Sequence, residues 1–257
     1  MQSTDREVDI MEKGDLIVGG KIKRFSFFRI AEHQFNMTAF GILVITGLSQ
    51  KFHEYSLSQW IIINLGGVDS VRLLHRYTGL TFAVLTIFHI IAGSVGVIFH
   101  KWQATMVINK KDFTDAIDNL KYYFGITNHP ARCDRYDYKQ KFEYWGVVIG
   151  GLLMIATGLV LWFPTLIVRY LPGEFIPAAK AAHTNEAMLA FLVIVVWHLY
   201  NSIFSPEVFP LDTSIFTGKI SVERMKHEHP LEYERATGES LEEEHSEREA
   251  HEKQETG

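Results

Sequence analysis

The chain has a single cysteine, Cys133, among its 257 residues. One cysteine excludes a disulfide framework, an iron–sulfur cluster held by cysteines, and the C-x-x-C-H attachment of c-type haem. The first 15 residues are charged and lack an apolar run before a cleavage site, so we expect no secretory signal peptide and insertion through the first span. The net charge of -5 comes largely from an acidic C-terminal segment, and we expect no nucleic-acid partner.

Four blocks of apolar residues hold most of the 47% hydrophobic content. Such blocks are long enough to cross a lipid bilayer as helices. We therefore predict an all-α polytopic membrane protein, a bundle of four transmembrane helices within residues 25–205. The predicted spans are residues 33–51, 75–99, 144–168 and 182–204. The remaining predicted segments are a polar N-terminal tail (1–24), a post-helix segment (206–237) and a disordered acidic tail (238–257).

The connections between the spans differ in length and in pattern. Residues 54–72 contain an apolar stretch that is too short to span and is interrupted by polar residues and Gly-Gly, which predicts an interfacial helix or a loop. The longer connection, 101–142, has apolar residues at helical spacing, namely Phe113, Ile117, Leu120 and Phe124. This pattern predicts an amphipathic helix that lies on the membrane surface or against a partner.

Lysine and arginine are divided unequally among the connections. The 101–142 connection carries eight of them, whereas the first outer loop has Arg72 and the last has Arg169 and Lys180. Because positively charged connections stay in the cytoplasm, we predict that both termini and the 101–142 connection are cytoplasmic. The expected location is the cytoplasmic (inner) membrane of a bacterium or archaeon.

Five histidines fall inside or at the edge of these spans: His33, His75, His89, His183 and His198. His183 and His198 are 15 residues apart, which is about 22 Å along an α-helix and about 60° around it. His75 and His89 are 14 residues apart, about 21 Å along a helix and about 40° around it. With the predicted topology, His75 and His183 lie near the outer surface, and the other three lie near the inner surface.

A histidine in a membrane span is costly and usually functional, although a single one can simply hydrogen-bond to a neighbouring helix. Five histidines in two depth layers on three helices favour metal ligation. Two opposed imidazoles at one depth suit haem b. Gly79 and Gly93 each follow a histidine by one helical turn, which leaves room for a porphyrin.

The outer layer allows one pairing, His75 with His183. In the inner layer three histidines compete for two places, so His198 pairs with either His33 or His89. The histidine left over would line a quinone pocket, contact a haem propionate or ligate a third haem.

Charged residues near the outer histidines have two interpretations each. Arg72 and Arg76 flank His75 and are either partners of haem propionates or ordinary interfacial arginines. Glu186, one turn after His183, either carries protons at the outer site or hydrogen-bonds to a neighbouring helix. A zinc or manganese transport site would need carboxylates among the histidines, and only Glu186 fits that requirement.

Several short motifs occur in an order that resembles one family. Arg29 and His33 open the first span, and Thr-Gly-Leu at residues 46–48 closes it. LLHRYTG begins the second span, QKFEYW precedes the third, which ends in TGLVLWFP, WHLYN lies in the fourth, and HPLEYER follows. Over about residues 25–235 the chain resembles the cytochrome b (gamma) subunits of membrane-bound formate dehydrogenases and the related subunits of nickel–iron hydrogenases and thiosulfate reductase-like enzymes.

The resemblance implies a four-helix subunit with two b-type haems. It would exchange electrons with an iron–sulfur or multihaem cytochrome subunit at the outer surface and with a quinone, menaquinone or ubiquinone, near the inner haem. Substrate catalysis would lie in a separate catalytic subunit. The family pattern places the inner haem between the counterparts of His33 and His198, and the outer haem between those of His75 and His183. It supplies no clear counterpart of His89, and its spacing in the fourth span is one residue shorter.

Two alternatives come from other classes of protein. A stand-alone cytochrome b-type transmembrane reductase, of the ascorbate or ferric type, would need no stable partner and a substrate pocket at each face. A histidine-based metal or haem transporter would purify without a Soret band and would enclose a water-lined path. The spans contain neither clusters of carboxylates nor rows of polar residues, so the sequence favours the electron-transfer subunit over the transporter.

Overall fold

A computed structural model describes residues 17–206 and 208–241 of the chain. The described residues are mostly helical, as predicted, and include one small sheet. The predicted tails up to residue 16 and from residue 242 lie outside the described residues. By their internal contacts the described residues divide into two compact units. We call Phe28–Lys101 with Trp145–Asp212 the helical unit, and residues 17–27, 102–144 and 213–241 the polar unit.

The elements follow one another along the chain as short strands, long helices and short helices. In order they are β1 (Ile17–Val18), β2 (Lys21–Lys23), α1 (Phe27–Lys51), α2 (Ser56–Asn64), α3 (Val68–Phe99), α4 (Lys110–Tyr123), α5 (Tyr138–Trp162), α6 (Pro164–Ile167), α7 (Phe175–Leu192), π1 (Val193–His198), π2 (Tyr200–Phe204), α8 (Ser214–Thr217), β3 (Lys219–Ser221), α9 (Val222–Glu228) and α10 (Pro230–Thr237).

Within the described part of the chain, three helices are long and apolar enough to cross a membrane: α3, α5, and the helix from Phe175 to Phe204. Helix α1 has 25 residues but carries Arg29 and Glu32 in its first two turns, and it is not among the three. The fourth span and the cytoplasmic location of the termini therefore stay predictions.

The long helices begin earlier than the predicted spans. Helix α3 begins at Val68 and not at residue 75, α5 at Tyr138 and not at 144, and α7 at Phe175 and not at 182. Hydropathy marks only the apolar part of a helix, whereas polar turns extend it beyond the hydrocarbon layer. At its other end α5 stops at Trp162, before Pro164, because proline lacks the N–H that a continuing helix needs.

Small side chains fill the contacts between helices of the helical unit. The buried ones include Ala39, Thr46, Ser49, Val71, Thr78, Thr157 and Ala179. Membrane helices gain little from the hydrophobic effect between them, so close backbone approach and hydrogen bonds hold them together. Large apolar side chains point outward, for example Phe88 and Val196, both 66% exposed, which suits a surface covered by lipid.

The last long helix changes its hydrogen-bonding pattern halfway. Helix α7 passes directly into π1, and π2 follows after Leu199. A π-helix bonds residue i to residue i+5 and therefore turns less per residue than an α-helix. The predicted offset of about 60° between His183 and His198 assumed an α-helix throughout. Because π1 lies between the two histidines, the offset between them differs from that value.

The polar unit has its own hydrophobic core beside a three-stranded antiparallel sheet. Strand β2 is central, since Ile22 pairs with Ile17 on one side and with Ile220 on the other. Met225 and Tyr233 pack against this sheet, and the core residues are 2% exposed or less. The predicted all-α class did not include the sheet, because strands of two or three residues carry no readable alternation.

Buried ion pairs connect three separate segments within the polar unit. Arg24 and Arg135 each donate to the other's backbone carbonyl at 2.6 Å. Arg135 pairs with Glu232 at 2.7 Å, and Nε of Arg24 lies 3.9 Å from the same carboxylate. Burial lowers the pKa of Arg24, and the charge of Glu232 opposes this effect. Removing one partner of such a buried pair is strongly destabilising, so the three segments depend on one another.

Helix α4 turns its polar side inward. Asp112, Asp115 and Asn119 are buried, and Lys141 pairs with Asp112 at 2.7 Å. The apolar residues predicted to form a stripe are 54–74% exposed: Phe113, Ile117, Leu120 and Phe124. The structure thus contains a helix at the predicted place with an exposed apolar face, and whether lipid or a partner covers that face stays a prediction.

Lowering the pH is expected to destabilise the polar unit through His229. This side chain is 2% exposed, its Nδ1 donates to the carbonyl of Asp134 at 2.8 Å, and burial, aided by the charge of Arg24, lowers its pKa to about 3. In an unfolded chain the pKa of histidine is about 6.5. Between these values only the unfolded state binds the proton, so stability falls as the pH drops from about 6.5, by up to about 1.4 kcal/mol per pH unit.

The measurement is amide hydrogen exchange in α9 and α10 of the full chain at about pH 7.5 and about pH 5, corrected for the intrinsic rate. His229→Asn keeps a donor near Nδ1 but does not titrate, so its protection should change less with pH. Equal pH dependence in the wild type and in His229→Asn would contradict this prediction.

Candidate functional site

The histidines singled out by the sequence form two pairs and one separate residue, and all five are half-buried in the helical unit. His75 of α3 faces His183 of α7, with ring centroids 6.4 Å apart and ring planes inclined by 75°. His33 of α1 faces His198 of π1, with centroids 6.2 Å apart and planes inclined by 33°. Following the predicted topology, we call His75–His183 the outer pair and His33–His198 the inner pair.

The ring separations suit a metal held between two imidazoles. A ring nitrogen that binds a metal lies about 2 Å from it. Two such nitrogens on opposite sides of one metal place their ring centroids about 6 Å apart, given the size of the ring. Both observed separations lie close to this value, so each pair fits a bis-histidine haem iron.

His89 is held by a carboxylate. Its Nδ1 lies 2.7 Å from Oε1 of Glu32, and the two side chains are 28% and 27% exposed. From the sequence, either His33 or His89 could be the partner of His198. The structure brings His33 opposite His198, and it brings His89 to the residue that precedes His33 in α1.

Both rings of the outer pair contact threonines. Oγ1 of Thr46 in α1 lies 2.8 Å from Nδ1 of His75, and Oγ1 of Thr157 in α5 lies 2.9 Å from Nδ1 of His183. The threonines are 1% and 8% exposed. Since Nδ1 of each ring is engaged, Nε2 is the nitrogen that each ring would offer to a metal.

The arginines predicted near the outer pair are both exposed. The guanidinium of Arg76 lies 5.9 Å from the ring centroid of Trp162. Arg72 lies 3.5 Å from Asp69 of the preceding helical turn. An exposed ion pair of this kind contributes little to stability, so Arg72 can exchange Asp69 for another anion at small cost.

The predicted glycines leave space along α3. A Cβ at Gly79 would have only Leu43 nearby, at 3.9 Å, and a Cβ at Gly93 would meet no described atom within 4 Å. Glu186 packs its carboxyl against α5 at Gly150, where a Cβ would not fit without displacing it. The carboxyl of Glu186 therefore contacts a neighbouring helix, and both interpretations of its role stay predictions.

The sequence alone indicates no role for Glu32, Thr46 or Thr157. For the threonines a signal existed, because Thr-Gly-Leu occurs twice, at residues 46–48 and 157–159. For Glu32 there was none, since the residue it contacts lies 57 positions away on another helix.

Comparison with known proteins places these residues in a family. Residues 24–217 match the family described as prokaryotic cytochrome b561. The formate dehydrogenase cytochrome b556(fdo) subunit of Escherichia coli strain K12 is 22% identical over 225 residues, which cover 87% of this chain and 94% of that relative. The nitrate-inducible formate dehydrogenase cytochrome b556(Fdn) subunit of the same strain is 22% identical over 223 residues, covering 87% and 93% of the two chains.

The matched range extends over more than half of the chain and includes both histidine pairs and both threonines of the outer pair. A b-type cytochrome carries haem b, which agrees with the paired imidazoles. Three helices suited to crossing a membrane agree with a multi-pass membrane protein. The chain therefore belongs to the prokaryotic cytochrome b561 family.

Proposed function

We propose that the protein is a di-haem b-type cytochrome subunit that transfers electrons across the bacterial inner membrane. It would exchange them with a partner redox subunit at the outer face and with the quinone pool near the inner pair. The observation that carries this proposal is the presence of two facing imidazole pairs, with centroids 6.4 and 6.2 Å apart, in a member of a b-type cytochrome family.

The outer and inner pairs would each hold one haem iron. When bound, each haem supplies an iron that gains and loses a single electron. The chain's own contribution is to present two imidazoles from different helices facing each other, one pair at His183 in α7 and the other at His198 in π1. An iron held by two imidazoles of the chain would serve electron transfer and not substrate chemistry.

Arg76 is the proposed partner of a haem propionate at the outer pair. It follows His75 directly, is exposed and carries a permanent charge, and its guanidinium can donate charge-assisted hydrogen bonds to a carboxylate. Arg72 is a second partner, since its pairing with Asp69 is exposed. Gly79 lies one turn beyond His75 and would leave room for the edge of the porphyrin.

His89 is proposed to line the quinone site rather than to hold an iron. Its Nδ1 contacts Glu32 at 2.7 Å, which orients the ring beside the helix that carries His33. An imidazole oriented by a carboxylate can donate or accept a hydrogen bond at a quinone oxygen. This role uses the histidine left over when the inner pair is formed by His33 and His198.

The proposed partners follow by analogy with the relatives, which are cytochrome subunits of formate dehydrogenase. By that analogy an iron–sulfur subunit, or a multihaem cytochrome in its place, would contact the outer face, and a catalytic subunit would carry out the substrate chemistry. The quinone would be menaquinone or ubiquinone.

Helix α1 is proposed as the fourth span, with both termini in the cytoplasm. It contributes His33 to the inner pair and Thr46 to the outer pair, so it runs beside both. These residues are 13 positions apart, about 20 Å along a helix, which is a large part of a hydrocarbon layer of about 30 Å. The eight basic residues of the 101–142 connection support the cytoplasmic side for that connection.

Replacing His33 with alanine is expected to remove one haem, and replacing His89 with alanine is expected to remove none. The wild-type chain should contain two b-type haems, and His33→Ala one, because His198 would supply only one of the two imidazoles of the inner pair. The measurement is the ratio of haem to protein with a reduced-minus-oxidised spectrum of the purified chain. His53→Ala, an exposed histidine just beyond α1, is the control and should keep both haems.

Three outcomes would contradict this assignment in different ways. If His89→Ala lost one haem and His33→Ala kept both, His89 would be the ligand of the inner haem and His33 the residue left over. Three haems in the wild type would mean that His89 also binds a haem iron. A wild-type chain without haem would overturn the proposed function.

Replacing His89 with glutamine is expected to slow electron exchange with quinone while both haems stay bound. Loss of a positioned hydrogen-bonding and proton-transferring group should reduce the rate about 100-fold. The measurement is the stopped-flow oxidation of the reduced cytochrome by a soluble quinone analogue, with His53→Gln as the control. An unchanged rate in a variant with two haems would exclude His89 from the quinone site.

A further inference from the structure

The two sequences Thr-Gly-Leu occupy equivalent places beside the outer pair. Thr46 and Gly47 lie in α1 next to His75, and Thr157 and Gly158 lie in α5 next to His183. Helices α1 and α5 contribute neither ring of the outer pair. Each ring therefore contacts a Thr-Gly pair on a helix other than its own.

The hydroxyl of each threonine already donates its hydrogen to the backbone of its own helix. Oγ1 of Thr46 lies 2.7 Å from the carbonyl of Ile42, and Oγ1 of Thr157 lies 2.7 Å from the carbonyl of Leu153. A hydroxyl has one hydrogen and two lone pairs. Once the hydrogen bonds to the carbonyl four residues earlier, the oxygen can only accept from the imidazole.

Acceptance by the threonine oxygen determines which ring nitrogen carries the proton. Nδ1 of His75 and Nδ1 of His183 must each donate, so each neutral ring presents the lone pair of Nε2. That is the nitrogen a metal would bind. A ligand histidine that donates from its second nitrogen is also a more basic ligand, which favours the ferric over the ferrous state.

The glycine of each pair leaves room for the same ring. A Cβ at Gly47 would lie 3.2 Å from Cε1 of His75, closer than ordinary contact, and a Cβ at Gly158 would lie 3.4 Å from Cε1 of His183, at its limit. Because Cε1 joins the two ring nitrogens, pressure on it would tilt the ring and displace Nε2.

We infer that the two Thr-Gly pairs are positioning devices for the outer haem: each threonine fixes the tautomer of a ligand histidine and each glycine fixes the angle of its ring. This inference rests on the proposed function, since it assumes that the outer pair holds a haem. It assigns a role to Thr46, Gly47, Thr157 and Gly158 that acts through the histidines and not on the iron directly.

The threonines are tested by Thr46→Val and Thr157→Val, which keep the side-chain shape and remove the hydroxyl. The readout is the midpoint potential of each haem in a spectroscopic redox titration of the purified chain. Each variant should raise the potential of the outer haem, because a less basic ligand favours ferrous iron, and leave that of the inner haem unchanged. If the preference for the ferric over the ferrous state falls tenfold, the midpoint potential rises by about 59 mV for a one-electron couple.

Serine variants and two other threonines provide the controls. Thr46→Ser and Thr157→Ser restore the acceptor and should restore the wild-type potential. Thr38→Val and Thr81→Val remove hydroxyls that bond only the carbonyl four residues earlier, and should change neither potential. An unchanged outer potential in the valine variants, or a failure of serine to restore it, would overturn the role of the threonines.

The glycines are tested by Gly47→Ala and Gly158→Ala, with Gly41→Ala as a control where a Cβ meets no described atom within 4 Å. The readout is the electron paramagnetic resonance spectrum of the ferric haems, which depends on the angle between the two imidazole planes. The signal of the outer haem should shift more in Gly47→Ala than in Gly158→Ala and should not shift in the control. Equal spectra in all three variants would overturn the role of the glycines.

Failure of this inference can be separated from failure of the proposed function. If the wild-type chain contains two haems, and the midpoint potential of the outer haem is the same in the wild type and in the threonine variants, only the inference is rejected. A wild-type chain that binds no haem at the outer pair would reject both.

Discussion

An imidazole in an apolar membrane helix needs a hydrogen-bond partner within the protein, and the packing of the helical unit satisfies this constraint. In hydrocarbon an unsatisfied polar group costs several kcal/mol, since no water can replace the missing hydrogen bond. The outer rings are held by Thr46 and Thr157, and His89 is held by Glu32. These contacts all join different helices, so the hydrogen bonds of the histidines also contribute to how the helices pack.

The two units are stabilised in different ways because they face different solvents. The helical unit buries small residues such as Ala39 and Ser49 and exposes large apolar ones, since lipid offers no penalty for apolar surface. The polar unit buries Ile22 and Tyr233 in a core of its own, where removal of apolar surface from water drives folding. It also buries charges, which requires the close pairing of Arg135 with Glu232.

Local patterns predicted much of the site and part of the fold. Apolar blocks located three helices that can cross a membrane. Of the five histidines that the sequence singled out, the structure brings four together in two facing pairs. The same patterns could not choose between His33 and His89. That choice depends on how α1 and α3 are rotated about their axes, and a rotation of one residue step, about 100°, changes which side chain faces a neighbour. Likewise, Glu32 looked like an ordinary polar residue at a helix start.

The sequence by itself determined the chemical class of this protein: apolar helices, histidines at similar spacings along two of them, and no cysteine set that could hold another redox centre. These properties are read from composition and spacing, which are local. Only the tertiary structure decided which imidazoles face each other, which nitrogen of each outer ring is engaged, and that a π-helical segment lies between His183 and His198. Such contacts depend on helix rotation and on departures from α-helical geometry, because residues far apart in the chain meet only when several helices pack together.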